Sequence, residues 1–229
     1  AKILAEAGLL ANVDVSKLPG SPRKDDLVIC LVQFGIDCTG IADVGGGWPE
    51  NGGHGLGRKF PILFAGVLLG DEHMLNVGQW RIRFQDDEQT FYVSQESVDI
   101  THSNKWHPDA RATDKEPYDV QDIGLPEWGI RHTRRPTADN RGWRTPYRAI
   151  NGTAIPGFAL AVSIMQRREQ WDHDAYFDYA ARYMQTIRKS GERVKGTNAP
   201  TIFMQNMWDE YHEQCGLVWT SSNASPAAR

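Results

Sequence analysis

Residues 45–69 read GGGWPENGGHGLGRKFPILFAGVLL, a glycine-rich run that passes directly into an apolar segment. Six of the eleven residues from 45 to 55 are glycine, so this backbone can adopt positive φ angles and approach a ligand closely. The residues that follow Pro61 are apolar on all sides, which predicts a buried helix. A loop that ends at a helix N-terminus beside Arg58 and Lys59 favours an anionic ligand. A purely structural turn between helices is the alternative interpretation.

Helical periodicity dominates the rest of the chain. Apolar residues recur at three- and four-residue steps, which predicts helices over residues 25–43, 61–69, 155–168, 174–188 and 200–214. Asp25 is placed to cap the first of these helices. Short connections favour antiparallel pairs, so we expect a mainly α fold. The alternation around Ile82, Phe84, Phe91 and Val93 predicts one short β-hairpin excursion near residues 80–93.

Composition bounds the class of protein. With 229 residues, 40% of them hydrophobic, the chain can bury one large core. We expect a single helical domain over residues 1–220 and a flexible tail over residues 221–229. The net charge of −4 argues against a surface built for nucleic acid. No stretch of eighteen apolar residues occurs, so no membrane partner is expected.

Residues 101–148 form the least periodic part of the chain and contain five prolines. A long irregular loop with many aromatic residues is typical of a functional segment. Its second half holds six arginines (131, 134, 135, 141, 144 and 148), His132 and a single acid, Asp139, for a local charge of about +5. Arginines interleaved with Trp143 and Tyr147 favour a polyanion, and the overall acidity of the chain favours an anionic sugar over a nucleic acid. The structural alternative is that these arginines bridge to carboxylates of neighbouring helices.

Neither a metal nor a cofactor is predicted. The seven histidines form no HExxH motif, and the glycine-rich run lacks the spacing of a phosphate loop. A calcium site formed by Asp86, Asp87 and Glu88 stays an open alternative. The cysteines form no CxxC motif, and Cys30 and Cys38, eight residues apart in an apolar helix, are interpreted as buried thiols.

Five short stretches carry a resemblance to a known family. They are NGGHGLGRKFPILFAGVLLGDE (51–72), DEQTFYV (87–93), PEWGIRH (126–132), YRAIN (147–151) and WDHDAYFDYAARYM (171–184). Together they resemble the C-terminal half of helical-toroid polysaccharide lyases, which act on uronic-acid polymers such as glucuronan and alginate. The resemblance implies an incomplete (α/α) toroid of helical hairpins, a periplasmic or secreted bacterial protein and an anionic polysaccharide substrate. Because full-length relatives have more helices, it also implies a second chain that completes the ring.

A lyase of this kind removes the proton at C5 of a uronate and expels the 4-linked sugar. Neutralising the adjacent carboxylate requires hydrogen-bond donors whose effect grows with the charge of the transition state. The resemblance implies a tyrosine as acid or base, and Tyr147 lies between Arg144 and Arg148, whose charges favour its phenolate. The predicted catalytic residues are Tyr147, His54, His132 and Arg131. The predicted substrate-binding residues are Asn51, Trp48, Arg58, Arg148, Asn151 and Trp143.

Three other functions stay open at this point. A glycoside hydrolase on a helical toroid needs two carboxylates flanking a cleft, and Asp43, Glu50, Asp71 and Glu72 lie near the glycine-rich run. A non-catalytic subunit that binds anionic carbohydrate is favoured by the short chain. RNA binding by the arginine-rich segment predicts steep salt dependence and ranks last on net charge.

Overall fold

The structure is a computed structural model that describes residues 1–16, 18–20, 23–51, 54–108, 116–129, 152–189 and 199–220. Within these ranges the protein is mainly helical, with a small antiparallel sheet of two strands. The α-helices are α1 (Lys2–Asn12), α2 (Asp25–Asp43), α3 (Lys59–Leu69), α4 (Glu72–Leu75), α5 (Gln85–Glu88), α6 (Gln95–Thr101), α7 (Ile155–Ile164), α8 (Arg168–Trp171), α9 (Asp174–Lys189) and α10 (Ile202–Tyr211). The strands are β1 (Thr90–Tyr92) and β2 (Pro126–Trp128).

The predicted helices are present, and the differences lie at their ends. The N-cap position of α2 is occupied by Lys24, so Asp25 belongs to the first turn and does not cap the helix. Its carboxylate still favours this end because helix N-termini attract negative charge. Helix α10 begins after Thr201, whose hydroxyl accepts a hydrogen bond from the backbone N–H of Met204 at 3.3 Å. The toroidal arrangement of helical hairpins stays a prediction.

Two apolar helices, α3 and α7, form the centre of the core. Every residue from 59 to 66 and from 155 to 162 is buried, as expected for helices without a polar face. The rings of Phe60 and Phe158 join the two helices with 5.4 Å between their centroids. Helix α2 packs on α3, whereas α1, α9 and α10 pack on α7. Three tyrosines of α9 are buried and belong to the core, namely Tyr176, Tyr179 and Tyr183.

The predicted hairpin at residues 80–93 is wrong. The acidic run that was expected to form the turn is instead the helix α5, preceded by Phe84 in an extended conformation. Strand β1 pairs with β2, and Thr90 lies opposite Trp128. A strand partner from a distant part of the chain leaves no local pattern to read, which is why alternation alone misplaced it. Strand β2 also gives part of the predicted irregular loop 101–148 a regular structure.

The cysteine prediction holds for one of the two helical thiols. Cys38 is buried against α3, and its pKa is raised to about 11 by burial. Cys30 is exposed. Eight residues correspond to more than two turns of helix, so the two side chains point about 80° apart around the helix axis. Among the described helices, none combines the length and the apolar character needed to cross a bilayer.

Candidate functional site

The glycine-rich loop between α2 and α3 positions four of the predicted site residues. Asn51 and His54 are exposed, and the backbone N–H of His54 donates to the carbonyl of Asn51 at 3.0 Å, so both side chains project from one tight turn. Neither side chain forms a hydrogen bond with another residue in the described part of the chain. Trp48 is half-buried and its ring stacks on Phe84 at a centroid distance of 5.7 Å. Trp48 therefore stabilises the loop by packing it against Phe84.

One glycine of this loop is required by both its backbone and its surroundings. Gly57 has a φ of 82°, in the left-handed region that favours glycine. A Cβ atom at this position would lie 2.5 Å from the ring of Phe158 on α7. At Gly57 the loop backbone therefore lies closer to α7 than a residue with a Cβ atom would allow. The close approach at Gly57 is to the protein's own core, and close approach of this loop to a ligand stays a prediction.

Three backbone amides of the loop are occupied by side chains of the segment around α5. The N–H of Glu50 donates to Glu88 at 3.1 Å, that of Gly55 to Gln85 Oε1 at 2.8 Å, and that of Gly57 to both carboxylate oxygens of Asp86 at 3.1 Å. The sequence predicted a glycine backbone open to an anion. These three amides instead bind the protein's own acceptors and are not open to an external anion.

Lys59 corrects a second expectation. Its ammonium is fully buried, 2.6 Å from Asp87 Oδ2 and 2.5 Å from the carbonyl oxygen of Trp171. It also lies 5.0 Å from the centre of the Trp171 ring, within cation–π range. A charge enclosed in this way is an internal counter-ion and does not reach a ligand at the surface.

Arg58 differs from its neighbour. It is half-buried at the N-cap position of α3, and its guanidinium carbon lies 5.4 Å from the centre of the Phe34 ring. Within the described ranges it has no carboxylate partner and no hydrogen bond. Partly desolvated charges are normally paired with an opposite charge. Arg58 is therefore the cation of this loop that is available to an anionic ligand.

A buried carboxylate lies directly beneath the loop. Asp86 has no exposed surface, and burial raises its pKa to about 7, helped by repulsion from Asp87 and opposed by the Gly57 amide and the charge of Lys59. Burial and the negative charges of Asp86 and Asp87 raise the pKa of the Tyr176 phenol well above its usual value. Tyr176 is accordingly a neutral packing residue, whereas Asp86 titrates near neutral pH.

A second pair of acidic residues, Glu50 on the loop and Glu88 on α5, is bound by Arg83. Arg83 donates to Glu50 at 2.7 Å and to Glu88 at 2.6 Å, so one guanidinium holds two carboxylates. Burial and hydrogen bonding to Glu50 raise the pKa of Glu88 to about 7. Burial opposes ionisation of Glu50 as well, but hydrogen bonds from Glu88 and Arg83 outweigh it and lower the pKa of Glu50. Because one arginine binds both carboxylates, the pair is better explained as a structural contact that stabilises the loop than as the open carboxylate pair that a hydrolase needs.

The other acids considered for a hydrolase also have structural partners. Asp43 binds His73 at 2.8 Å, and Asp71 caps α4 by accepting the backbone N–H of Met74 at 2.9 Å. Glu72 lies in the first turn of α4, where negative charge stabilises a helix. Asp86, Asp87 and Glu88 bind Gly57, Lys59 and Arg83 respectively, so they do not converge on one cation. The described residues contain no group of three or more histidine, cysteine or carboxylate side chains arranged for a metal.

The loop is connected to Gly129, directly after β2, by hydrogen bonds of Gln85 and Gln89. Gln85 accepts from Gly55 and donates through Nε2 to Gln89 Oε1 at 2.5 Å. The backbone carbonyl of Gln89 accepts from the N–H of Gly129 at 2.5 Å, two residues before Arg131. Both glutamine side chains are fully buried. On the far side of the segment, a Cβ at Gly152 would lie 3.8 Å from the Trp128 ring, so both ends of the segment lie close to β2.

The remaining predicted residues are not placed by the structure. Arg131, His132, Trp143, Tyr147, Arg148 and Asn151 lie outside the described residues, as does the predicted tail at 221–229. Two surface pockets, of ≈ 390 and ≈ 700 Å³, are lined by residues of α8 to α10 and their flanks. None of the predicted site residues that the structure describes lines either pocket, so the candidate site is defined by its chemistry and not by one of these two pockets.

Sequence reasoning missed the residues beneath the loop. Arg83, Gln85, Asp86 and Gln89 were not predicted as site residues, although they hold the loop in place. The run QDDEQ at 85–89 is polar throughout, and polar runs are usually exposed. The only usable signal was its position between two apolar segments, which does not by itself indicate burial.

Comparison of the chain with models of known protein families, with curated proteins and with solved structures finds no significant match in any of the three.

Proposed function

We propose that the chain is a polysaccharide lyase that cleaves 4-linked uronic-acid polymers, such as glucuronan or alginate, by β-elimination. The observation that carries the proposal is Arg58, a half-buried cation with no carboxylate partner among the described residues, on the same loop as the exposed Asn51 and His54. A guanidinium, an amide and an imidazole are the groups that suit a substrate carboxylate. Lys59, the other cation of the loop, is excluded because Asp87 and the protein interior enclose it.

The proposed reaction needs three functions from the protein. Asn51, His54 and Arg58 bind the uronate carboxylate and stabilise the negative charge that grows when the C5 proton leaves. A base takes this proton, the electron pair forms the C4–C5 double bond, the C4–O4 bond breaks, and the leaving oxygen gains a proton. Tyr147 is proposed for proton transfer on the resemblance, with Arg131 and His132 beside the carboxylate. Trp48, Trp143, Arg148 and Asn151 are proposed to bind the flanking sugars.

The setting follows from the proposed substrate. Uronic-acid polymers are extracellular, so a periplasmic or secreted location is part of the proposal. A second chain that completes a helical ring is proposed as a partner. No cofactor takes part in this scheme.

The test is digestion of glucuronan and alginate by the unmodified chain, followed by absorbance at about 235 nm, where elimination leaves a conjugated double bond and hydrolysis does not. We expect Arg58→Gln to lower kcat/KM by about a hundredfold, the usual range for one transition-state donor. Arg81→Gln is the control, since Arg81 is an exposed arginine that lies off the loop.

Each other outcome of this test points to a different function. Polymer binding without an unsaturated product would replace the lyase by the non-catalytic carbohydrate-binding subunit. New reducing ends without the absorbance would identify a hydrolase. Equal losses in the Arg58 and Arg81 variants would show that the attraction is diffuse and would remove Arg58 from the site.

A further inference from the structure

We propose that Gln85 and Gln89 are positioning residues, a buried amide pair that couples the glycine-rich loop to Gly129 at the end of β2. The inference rests on the proposed function for its catalytic consequence, but the coupling itself is a mechanical property of the fold. Neither residue touches a substrate in this proposal. Their role is to hold the loop that carries Asn51 and His54 in a fixed position relative to Gly129, directly after β2.

The geometry uses both ends of the Gln85 amide. Its Oε1 accepts the backbone N–H of Gly55 at 2.8 Å, and its Nε2 donates to Gln89 Oε1 at 2.5 Å. The backbone carbonyl of Gln89 then accepts the N–H of Gly129. A primary amide accepts through its oxygen and donates through its nitrogen at the same time, without a charge. Leucine of similar size can do neither.

Burial makes this pair sensitive to substitution. Both side chains are fully buried, so the loss of one partner leaves a polar group without water to replace it. Gly55 and Gly129 are far apart in sequence, and both are hydrogen-bonded to this pair. Gln85 is the first residue of α5, and Gln89 directly follows the helix. Displacements of about 1 Å at a catalytic group lower rates by about a hundredfold. A shift of α5 would move the glycine-rich loop and the end of β2 at once.

The first arm of the experiment measures amide hydrogen exchange at Gly55 and Gly129 without substrate. Gln85→Leu removes the hydrogen bonds that Gln85 forms with Gly55 and Gln89, which should make local opening around α5 more frequent. We therefore expect exchange at both glycines to be about tenfold faster, while amides of α7 stay protected. Gln33→Leu is the matched control, since Gln33 donates to Asp37 four residues ahead in the same pattern but on the exposed face of α2. Faster exchange at Gly55 with unchanged exchange at Gly129 would overturn the coupling.

A conservative variant keeps the proposal testable if Gln85→Leu fails to fold. In Gln85→Glu a protonated carboxyl group has one acceptor and one donor, like the amide, whereas the ionised form has no donor. We expect protection of Gly129, corrected for intrinsic exchange, to match the wild type near pH 5 and to be about tenfold below the wild type near pH 8. A merely space-filling role would leave the ratio of the variant's protection to that of the wild type the same at both pH values.

The second arm is kinetic. We expect Gln85→Glu at pH 8 to lower kcat on a polyuronate by about tenfold or more while KM changes less than about threefold, since the groups that bind substrate are present but misplaced. A change confined to KM, or none, would overturn the positioning role. If the unmodified chain makes no unsaturated product, the proposed function fails, and the exchange arm still decides whether the two segments are coupled.

Discussion

Lys59 and Asp87 form an ion pair across the base of the glycine-rich loop, with 2.6 Å between Nζ and Oδ2. The lysine side chain is fully buried, whereas the aspartate side chain is 26% exposed. The second oxygen of Asp87 is buried and has no partner in the described part of the chain. The ammonium therefore neutralises a carboxylate at the edge of the core, and the pair belongs to the stability of the loop and not to its ligand.

Lys59→Met should strongly destabilise the protein. Removal of one partner from a buried ion pair leaves an uncompensated charge, and we expect the free energy of unfolding to fall by about 3 kcal/mol, measured by urea denaturation. Adding Asp87→Asn should restore part of this loss. The exposed Lys105→Met is the control and should change stability by less than about 0.5 kcal/mol. Full additivity of the two substitutions would contradict the ion pair.

Asp86 should make the protein less stable as the pH rises towards neutrality. Its folded-state pKa of about 7 is above the ordinary value of 3.8, so between these values the folded state holds a proton that the unfolded state has lost. Stability from this proton is present below the ordinary pKa and is lost as the pH rises through the folded pKa. Asp86→Asn should flatten the fall in melting temperature between about pH 5 and 7.5. Asp99→Asn, at an exposed position of α6, should keep the wild-type slope.

Substitutions at Gly57 and Gly20 distinguish the cost of backbone strain from the cost of steric crowding. Both have a φ of 82°, but a Cβ at Gly57 would meet the Phe158 ring at 2.5 Å, whereas a Cβ at Gly20 would meet nothing within 4 Å. Gly20→Ala should cost about 1 kcal/mol, the penalty of the left-handed conformation. Gly57→Ala should cost about 2 kcal/mol more because the core must move. Equal losses in thermal denaturation would show that Phe158 yields freely.

Tyr147→Phe tests the proposed proton transfer, since it removes only the hydroxyl. If this hydroxyl moves the proton, kcat on glucuronan or alginate should fall by about a hundredfold or more, with binding and melting temperature nearly unchanged. The measurement is the rate of absorbance increase together with equilibrium binding of the polymer. Near-wild-type elimination by this variant would refute the assignment.

His54→Ala tests the carboxylate contact on the loop. We expect kcat to fall more than binding, because a donor to the growing negative charge acts mainly in the transition state. His107→Ala is the control, an exposed histidine outside the loop. Equal effects of the two substitutions on kcat would exclude His54 from the site. Since the loop backbone is held by Gln85 and Asp86, the variant should fold as the wild type does.

Much of the fold could be predicted from local pattern. Periodicity predicted α2 at its observed bounds and the burial of α3, because a helix shows its buried face in every turn of its own sequence. The sheet could not be predicted in this way, since β1 finds its partner in residues 126–128. A strand's pairing depends on which distant segment the packed helices bring beside it.

The candidate site divides along the same line. The sequence alone determined the loop's composition, its flexible backbone and its position before a buried helix. Only the tertiary structure decided that Lys59 is enclosed by Asp87 while its neighbour Arg58 has no such partner, and that the loop's amides bind Gln85 and Asp86. Adjacent residues on a helix point about 100° apart, so which of two cations faces the core depends on where the core lies. That position is set by contacts between segments far apart in the chain, which no local pattern records.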